Sequence, residues 1–468
     1  MKNIVLELDN ESKEKLYYQI YSSLKNDILS GTLEQGTKLP SLRKLAEGNG
    51  VSVTTVETAY EQLLVEGYIE SRPKSGYYVA DAASARPYTT SAAEEQAAPE
   101  IPDDKRRIAS QERPCIYDTE SFDFAKWKKC MNRVFNECEH LLQTEADPKG
   151  EPSLRQELAR YLYQSRGAKC NAEQIVIGAG SQQLTMQLAK ILKELGVNNA
   201  ATEIPGYGPI RNILEAEGFP VTGVPVQENG IDIEKLPQGE RTLVYVNPSN
   251  QFPSGAVMPV GRRYELINWA ETNDGYILED DYDSELRYRG KPIPAMQGLD
   301  NNGRVIYLGS FSSTLYASVK ISYMVLPPEL AEIFDRNKTK YSQTCSKAEQ
   351  LCLAFYMSEG YYYRHIKKLR RLYASKLAVA MDVFAQTDGD VLEPVDSKSG
   401  MALLLKIKSE KTVGEICRMA DSLGMDMRPV SDLCTDSTKV VYFYFYRIPE
   451  ALLKLLIRQF AAKLNGGR

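Results

Sequence analysis

Residues 174–192 read QIVIGAGSQQLTMQLAKIL, an apolar run that stops at a glycine-rich turn and continues as an amphipathic stretch. The run is typical of a buried strand, and the spacing of apolar residues after Ser181 is typical of a helix. Free N–H groups at the start of a helix attract anions, so the turn before Ser181 is a candidate anion site. Many α/β proteins have such a turn, so its meaning depends on the rest of the chain.

The same alternation recurs along residues 105–468. Further apolar runs are TLVYVNPS at 242–249, GYILEDDYD at 275–283 and RVIYLGS at 304–310. Amphipathic stretches such as PVGRRYELINWAETND at 259–274 lie between them. Strands that alternate with helices predict an α/β domain with a largely parallel sheet. From about residue 400 to 468, strand-like runs and two amphipathic stretches predict a smaller α+β lobe.

The composition limits the class of protein. The chain has 468 residues, too many for one core, and this length predicts two or three domains. No apolar run is long enough to span a membrane, no secretory leader is recognisable, and the eight cysteines include no C-x-x-C pair. We therefore expect a cytoplasmic protein with reduced cysteines. Two histidines argue against a histidine-based metal site or a Ser-His-Asp triad, and we expect no metal.

A compositional break separates residues 1–80 from residues 105–468. Residues 81–104 are rich in Ala, Ser, Pro and Glu and have no hydrophobic period. Such a segment is typical of a flexible, extended linker. The sequence thus predicts one domain on each side of it.

The first domain has the pattern of a winged helix-turn-helix. Apolar residues spaced by four from Leu16 to Ile28 form one face of a first helix. Ser41 and Ser52 are suitable N-caps for two further helices, which the turn GNGVS separates. The segment YIESRPKSGYYV at 68–79 then predicts a hairpin with a basic tip. Helix, turn, helix and basic wing together indicate DNA binding.

Over these sixty or so residues, the string from LYYQIYSSLKNDILSG to SRPKSGYYV resembles the GntR family of bacterial transcription regulators. The resemblance implies that the helix starting at Ser52 enters a major groove of double-stranded operator DNA. It also implies contacts from the preceding helix and from the wing. The implied DNA-binding residues are Arg43, Ser52, Thr54, Thr55, Arg72, Lys74 and Gly76.

Two departures from the family weaken the electrostatic part of this interface. Val53 stands where the family has arginine, and Glu57 faces the groove on the same helix. Residues 1–80 hold nine basic and eleven acidic side chains, a net charge of −2. Because non-specific affinity scales with the phosphates neutralised, we expect modest, salt-sensitive binding. Specific binding would depend on dimerisation and on contacts from the hydroxyl residues of the helix.

Four motifs of the second domain resemble those of fold-type I aminotransferases. They are EIPGYGPIR at 203–211, VNPSNQFPSG at 246–255, ILEDDYDSELRY at 277–288 and GSFSSTLYASVKISYMVLP at 309–327. Over essentially its full length the chain resembles the MocR subfamily of GntR regulators. In that subfamily a winged helix-turn-helix is fused to an aminotransferase-like domain that binds pyridoxal 5′-phosphate.

The resemblance implies positions for the cofactor ring. Asp280 would pair with the pyridinium nitrogen and make the ring an electron sink; a solvated strand end is the alternative interpretation of this acid. Tyr282 would donate a hydrogen bond to the phenolic oxygen. Tyr207 would stack on the ring, with ordinary core packing as the alternative. Asn247 or Asn250 would contact the ring edge, and the family more often has histidine at the latter position.

The resemblance also implies a phosphate cradle, and the main departures lie beside it. The cradle would consist of Gly180, Ser181, Gln182, Ser310 and Ser312. Ser313 occupies the position of the lysine that forms the Schiff base, which serine cannot form. Seven residues further, Lys320 replaces an arginine and offers phosphate a point charge in place of a bidentate fork. Lys320 could also be a displaced Schiff-base lysine, an interpretation that the family geometry disfavours.

A further departure concerns substrate recognition. In KVVYFYFYRIP, Tyr442 stands where relatives carry an arginine for the substrate carboxylate, and Arg447 lies outside the expected register. Two losses in one site predict that no residue is catalytic and that transaminase activity is absent.

Three functional hypotheses follow. The first is a transcription regulator whose aminotransferase-like domain senses a small-molecule effector, either pyridoxal phosphate held without a lysine or a related anion. By resemblance it would form a head-to-tail homodimer. The second is an active pyridoxal-phosphate-dependent aminotransferase with a vestigial DNA-binding module. The third is a dimeric scaffold that binds no ligand.

Overall fold

The chain forms two compact units, Met1–Gln111 and Glu112–Arg468. The computed structural model describes residues 6, 8–9, 14–81, 118, 120–281, 283–288, 293–316, 318–388, 391–395, 400–430, 433–435 and 437–466. Apart from residue 81, the predicted linker at 81–104 lies outside these residues, and so does Tyr282. The domain boundaries at 1–80, 81–104 and 105–468 remain predictions.

The first unit is a winged helix-turn-helix. Its elements are α1 (Leu16–Leu29), α2 (Leu42–Asn49), α3 (Val53–Val65), β1 (Ile69–Arg72) and β2 (Gly76–Val79). Ile20, Leu24, Val56 and Leu63 are fully buried in its hydrophobic core. The two strands pair antiparallel from Ile69 opposite Val79 to the tip of the wing. The predicted helices and wing are confirmed.

The second unit begins with the elements of a large domain. Its helices are α4 (Phe124–Glu137), α5 (Glu139–Leu142), α6 (Pro152–Arg166), α7 (Ser181–Glu194), α8 (Gly208–Ala216), α9 (Val260–Thr272), α10 (Pro328–Asn337), α11 (Lys347–Ser358) and α12 (Tyr361–Asp388). Its strands are β3 (Ile175–Gly178), β4 (Asn199–Ile204), β5 (Val221–Gln227), β6 (Gly230–Ile231), β7 (Thr242–Val246), β8 (Tyr276–Asp280), β9 (Val305–Ser310) and β10 (Ser322–Val325).

These strands form one sheet in the order β3-β10-β9-β8-β7-β4-β5-β6. Strands β9, β8, β7, β4 and β5 are mutually parallel, whereas β10 and β6 are antiparallel to their neighbours. Apolar residues cover both faces of the sheet, as Leu243 and Val244 on β7 belong to different core clusters. Because parallel strands end at the same edge, the carboxyl ends of β3, β4, β7, β8 and β9 lie together. The α/β class is confirmed.

A smaller α+β lobe completes the second unit. Its elements are β11 (Leu392–Pro394), β12 (Leu403–Lys408), α13 (Val413–Asp421), β13 (Met427–Pro429), β14 (Thr438–Phe443) and α14 (Glu450–Leu464). The four strands form an antiparallel sheet in the order β11-β12-β14-β13. Leu405, Ile407, Val441 and Phe443 are fully buried in the lobe's hydrophobic core.

Two searches of the described residues bear on function. No helix among them is both long and apolar enough to cross a membrane. Nor do the described His, Cys, Asp and Glu side chains form a group of three or more that could hold a metal ion.

Candidate functional site

Most of the predicted cofactor-binding residues lie at the carboxyl edge of the large sheet. Asp280 is the last residue of β8, and Ser310 is the last residue of β9. Asn247 directly follows β7, and Tyr207 lies in the turn between β4 and α8. Ser181 opens α7 after β3. The fold therefore brings to one edge residues that are more than a hundred positions apart in sequence.

The Asp280 carboxylate is held by groups of the neighbouring strand. The Tyr245 hydroxyl donates a hydrogen bond to its Oδ2 at 2.7 Å, and Asn247 Nδ2 donates to its carbonyl oxygen at 3.1 Å. Burial raises the pKa of Asp280 to about 7, and the charges of Asp281 and Asp283 add to the rise, while the Tyr245 hydrogen bond opposes it. A cationic group placed beside this carboxylate would reverse the shift.

The neighbouring acids of the EDDYD motif have structural partners. Glu279 accepts hydrogen bonds from the backbone N–H groups of Met296 and Gln297 at 2.7 and 2.9 Å. Asp281 accepts both arms of the buried Arg166 guanidinium, at 2.7 and 2.8 Å. The carboxyl groups of these two acids are thus occupied by partners inside the domain, whereas Asp280 is the last residue of its strand and lies at the candidate site.

Two buried polar atoms beside Asp280 have no hydrogen-bond partner among the described residues. They are Asn247 Oδ1 and Glu203 Oε1. The other oxygen of Glu203 accepts from the Asn247 backbone N–H at 3.2 Å and from Gln251 Nε2 at 3.4 Å. Burial raises the pKa of Glu203 to about 8. Unpartnered buried acceptors at this edge fit a site that receives a polar ligand.

Of the predicted phosphate residues, Ser310 lies in a cross-strand row of the sheet, and Ser312 is hydrogen-bonded to it. Ser322 of β10 pairs with Gly178 of β3 on one side and with Ser310 of β9 on the other. The Ser322 hydroxyl donates to Ser310 Oγ at 2.9 Å, and the Ser310 hydroxyl donates to Ser312 Oγ at 3.1 Å.

The start of α7 lies next to this hydroxyl chain. Gly180 precedes the helix with a φ of 108°, which side chains rarely adopt, and a Cβ built there would meet no atom within 4 Å. The N–H groups of Ser181 and Gln182 begin the helix and have no intrahelical acceptor. The arrangement can bind an anion.

Ser313 lies in the turn that follows β9, and its side chain is half-buried. This turn is held against α12, because the Thr314 hydroxyl lies 3.0 Å from the Tyr362 hydroxyl of that helix. Lys320 lies two residues before β10, at the same edge, with an exposed side chain. Lys320 thus lies at the same edge of the sheet as Ser310.

Tyr207 and Tyr442 lie around Phe252. The Tyr207 side chain is 37% exposed, and its ring meets the Phe252 ring edge-on at 6.2 Å. This exposure is higher than ordinary core packing produces. The Tyr442 ring lies 5.1 Å from Phe252, and its hydroxyl donates to the Pro253 carbonyl at 3.1 Å.

A cleft of about 320 Å³ opens beside Tyr442, between the small lobe and the loop after β7. Its lining residues are Glu228, Asn250, Pro253, Ser254, Gly255, Ala256, Val257, Val395, Ala402, Leu404 and Tyr442. Asn250, the alternative ring-edge residue, therefore lies in the cleft wall.

The predicted DNA-binding residues of the helices lie at the surface of the first unit. Arg43, Ser52 and Thr54 are exposed, and Thr55 is half-buried. Ser52 Oγ accepts from the Thr55 backbone N–H at 3.1 Å and lies 2.8 Å from Thr54 Oγ1. Ser52 is thus the N-cap of α3, as predicted, and the hydroxyl groups cluster at the start of this helix.

The wing residues have a local arrangement of their own. The Arg72 guanidinium lies 2.6 Å from a Glu70 carboxylate oxygen and 4.4 Å from the centre of the Tyr78 ring. Lys74 and Gly76 form the exposed tip, with φ values of 61° and 109°. Arg72 is therefore already paired, whereas Lys74 extends from a left-handed turn.

Sequence reasoning missed several residues of the ligand site. Tyr245 lies on β7, two positions before Asn247. Side chains two positions apart along a strand point to the same face of the sheet, so the predicted role of Asn247 could have drawn attention to Tyr245. Glu203 begins the EIPGYGPIR motif but had no assigned role. Thr344 carries no motif, yet its hydroxyl accepts from the Ala179 N–H at 2.9 Å, next to the start of α7. Only the fold brings Thr344 there.

Two family models match the chain. Residues 16–79 match the family described as bacterial regulatory proteins, gntR family, and residues 115–441 match aminotransferase class I and II. Among solved structures, an archaeal alanine:glyoxylate aminotransferase superposes with a TM-score of 0.66 at 22% identity, over 75% of this chain and 89% of that chain. A multiple substrate aminotransferase from Thermococcus profundus gives 0.64 at 23% identity, over 79% and 96%. These likenesses establish the fold of the second unit.

Relatives of the full chain are regulators by name. The HTH-type transcriptional regulator YhdI of Bacillus subtilis is 36% identical over 92% of this chain and 91% of its own length. The probable rhizopine catabolism regulatory protein MocR of Rhizobium meliloti is 35% identical over 91% and 89%. The pyridoxine biosynthesis regulator PdxR of Corynebacterium glutamicum is 30% identical over 82% of each chain. The chain therefore belongs to the MocR subfamily of GntR transcription regulators, in which a winged helix-turn-helix precedes an aminotransferase class I and II domain.

Proposed function

We propose that this regulator senses pyridoxal phosphate, or a related small anion, in its aminotransferase-like domain without covalent attachment to a lysine. The observation that carries the proposal is the contrast between Asp280 and Ser313. The ring-side carboxylate is present, half-buried and hydrogen-bonded, while serine occupies the position of the amine that would anchor and process a substrate. A site of this composition binds but does not react.

The residues present fit the cofactor at both of its polar ends. Asp280 offers a carboxylate to a pyridinium nitrogen, and Asn247 Oδ1 offers an unsatisfied acceptor nearby. The start of α7 and the hydroxyl chain at Ser310 and Ser312 offer donors to phosphate. When bound, pyridoxal phosphate supplies an electron sink. The Ser313 hydroxyl cannot take up or deliver a proton as a lysine amine does.

We further propose that the regulator acts as a head-to-tail homodimer on double-stranded operator DNA in the cytoplasm. Support for DNA binding comes from the regulator names of its relatives and from the exposed residues of α3. Control of DNA binding by the ligand requires that the DNA-competent and incompetent dimers differ in ligand affinity. Light scattering gives the oligomeric state, and DNA titrations with and without pyridoxal phosphate give the coupling.

The decisive experiment compares wild type with Ser313→Lys during titration with pyridoxal phosphate. We expect the wild type to bind, with a raised melting temperature, but to show no Schiff-base absorbance band and no label after borohydride treatment. Ser313→Lys should gain both the band and the label. A melting temperature that does not respond in either protein would favour the ligand-free scaffold.

Lys320→Gln separates the proposal from an active aminotransferase. Lys320 is the exposed lysine at the same edge of the sheet, so it is the candidate for a displaced anchor. If the wild type shows a Schiff-base band that Lys320→Gln removes, the non-covalent proposal is wrong and the enzyme hypothesis gains support. If Lys320 acts only on phosphate, the variant should bind pyridoxal phosphate more weakly and show no spectral change.

A further inference from the structure

A buried ion pair holds Asp118, the first residue of the second unit that the structure describes. The Lys376 ammonium group of α12 donates a hydrogen bond to Asp118 Oδ2 and another to the Tyr446 carbonyl oxygen, the latter at 2.9 Å. The Lys376 side chain is completely buried, and that of Asp118 is 4% exposed. Because Tyr446 lies between β14 and α14, this lysine ties the chain that enters the unit to the small lobe as well as to α12.

The residues after Asp118 continue along the same helix. The Glu120 backbone N–H donates to Asp118 Oδ1 at 2.9 Å, which closes a local turn. Lys368, about two turns before Lys376 on α12, donates to the Glu120 carbonyl oxygen at 2.6 Å. We refer to Asp118 and residues 120–122 as the entry segment.

Phe122 packs the entry segment against the turn that carries Ser313. Its side chain is 7% exposed, and its ring centre lies 5.2 Å from that of Tyr316, three residues after Ser313. The His365 ring of α12 meets the Phe122 ring edge-on at 5.3 Å and is hydrogen-bonded through Nε2 to the Thr314 carbonyl oxygen. Because protein interiors are close-packed, a shift of this turn requires Phe122 to move as well.

The same turn borders the predicted phosphate residues. Ser310 and Ser312 directly precede Ser313, and their hydroxyl groups are hydrogen-bonded at 3.1 Å. A phosphate group bound there would contact the start of the turn, while Phe122 contacts the residues that follow it. The candidate ligand site and the entry segment therefore share one structural element.

We infer that Lys376 is a positioning residue, which fixes the entry segment so that a ligand-induced shift of the Ser313 turn reaches the chain that leads to the DNA-binding unit. The inference rests on the proposed ligand function and adds a route by which the ligand controls DNA binding. With both Asp118 and Phe122 held, the entry segment passes the shift on as one body. With Asp118 released, the segment absorbs the shift, and the ligand no longer changes DNA affinity.

The test compares the DNA affinity of the full-length protein with and without pyridoxal phosphate. In the wild type, the ligand should change DNA affinity by about 5- to 150-fold. Lys376→Met should reduce this coupling factor to about twofold or less and leave the affinity for pyridoxal phosphate within about threefold of the wild-type value. The double variant Asp118→Asn/Lys376→Met leaves no buried charge unpaired and should lose the coupling in the same way.

Hydrogen exchange at the backbone amides of residues 120–122 provides a second readout. In the wild type, pyridoxal phosphate should change the exchange rates of these amides. In Lys376→Met the same amides should exchange rapidly, and to the same extent with and without the ligand. Exchange that ignores the ligand in the wild type, although pyridoxal phosphate binds, overturns the inference.

Lys149→Met is the matched control. Lys149 is 3% exposed and, like Lys376, donates to an acid and to a backbone carbonyl, namely Asp335 at 2.6 Å and Glu173 at 2.7 Å. None of these partners belongs to the entry segment, so the variant should lose stability and keep the coupling factor.

Two results separate this inference from the ligand site itself. Undiminished coupling in both Lys376 variants, or an equal loss of coupling in Lys149→Met, overturns the role of Lys376 and leaves ligand binding intact. A wild type that binds pyridoxal phosphate with no change in DNA affinity overturns the inference and ligand control, but not the site. Failure of the wild type to bind pyridoxal phosphate overturns the proposed function together with the inference.

Discussion

At the scale of single residues, three consecutive acids show how burial and partners assign different roles. The Asp281 carboxylate is paired with a buried arginine. The Glu279 carboxyl group accepts hydrogen bonds from two backbone N–H groups, although burial raises its pKa to about 7 as well. The Asp280 carboxylate accepts a hydrogen bond from one tyrosine hydroxyl, and Asp280 is the last residue of its strand, at the edge of the candidate site. Its raised pKa is therefore a cost of folding without ligand, which a cationic ring would remove.

This cost predicts the pH dependence of stability in the ligand-free protein. The pKa of Asp280 is about 7 in the folded chain, against about 4 when unfolded, so the folded state binds more protons between these values. Its contribution is fully present below the unfolded value and is lost as the pH rises toward 7. Asp280→Asn should remove this loss. Between pH 5 and pH 8, the free energy of unfolding of the variant should rise relative to that of the wild type by about 1–3 kcal/mol.

Denaturant unfolding at several pH values, without ligand, measures this difference. Glu234→Gln, which alters an exposed carboxylate, is the control and should follow the wild type at every pH. An Asp280→Asn curve parallel to that of the wild type would contradict the assignment.

At the scale of elements, α3 combines a structural cap with a DNA-facing end. Ser52 Oγ caps the helix and is surrounded by the hydroxyl groups of Thr54 and Thr55. Its lone pairs are thus largely used within the helix. Any contribution of Ser52 to DNA binding is limited by this competition.

Substitutions at Ser52 separate the two roles. Ser52→Ala removes the cap and should cost the first unit about 1 kcal/mol, whereas Ser52→Asp should retain the cap. If α3 meets DNA as proposed, Ser52→Asp should weaken binding more than Ser52→Ala, because it places a negative charge near phosphate. Thermal unfolding and anisotropy titrations with DNA from upstream of the gene measure the two effects. Stronger DNA binding by the aspartate variant would refute the proposed orientation.

At the scale of the whole molecule, each unit has its own hydrophobic core. The first unit buries Leu63 among the residues of its three helices and wing, and the second buries Leu158 against the large sheet. The small lobe adds a further core beneath its antiparallel sheet. The candidate ligand site and the helix-turn-helix are therefore supported by separate sets of packing interactions.

Separate cores predict separate responses to cavity mutations. Leu63→Ala should cost about 2–5 kcal/mol, as expected for a fully buried leucine, and should lower the unfolding transition of the first unit. Leu158→Ala is the matched variant in the second unit and should lower the other transition. Calorimetry with added pyridoxal phosphate should show stabilisation of the second transition in Leu63→Ala. An equal shift of all transitions by both variants would contradict separate cores.

Much of the fold was predictable because its patterns are local. The N-caps at Ser41 and Ser52 and the hairpin of the wing depend on neighbouring residues, and the structure has them where the pattern indicates. Strands β3, β7, β8 and β9 of the large sheet were recognisable as apolar runs of the correct length. Thr344 and Tyr245 were not predicted at the candidate site, because their contacts depend on pairings between distant segments.

The sequence by itself determined the class of the protein, since a winged helix-turn-helix pattern, ordered aminotransferase motifs and a serine at position 313 are properties of residue order. Only the tertiary structure decided which acid of EDDYD lies at the candidate site and which are held by partners in the core. The physical reason is that burial and cross-strand register set a side chain's pKa, partners and direction. These are relations between segments that residue order does not specify.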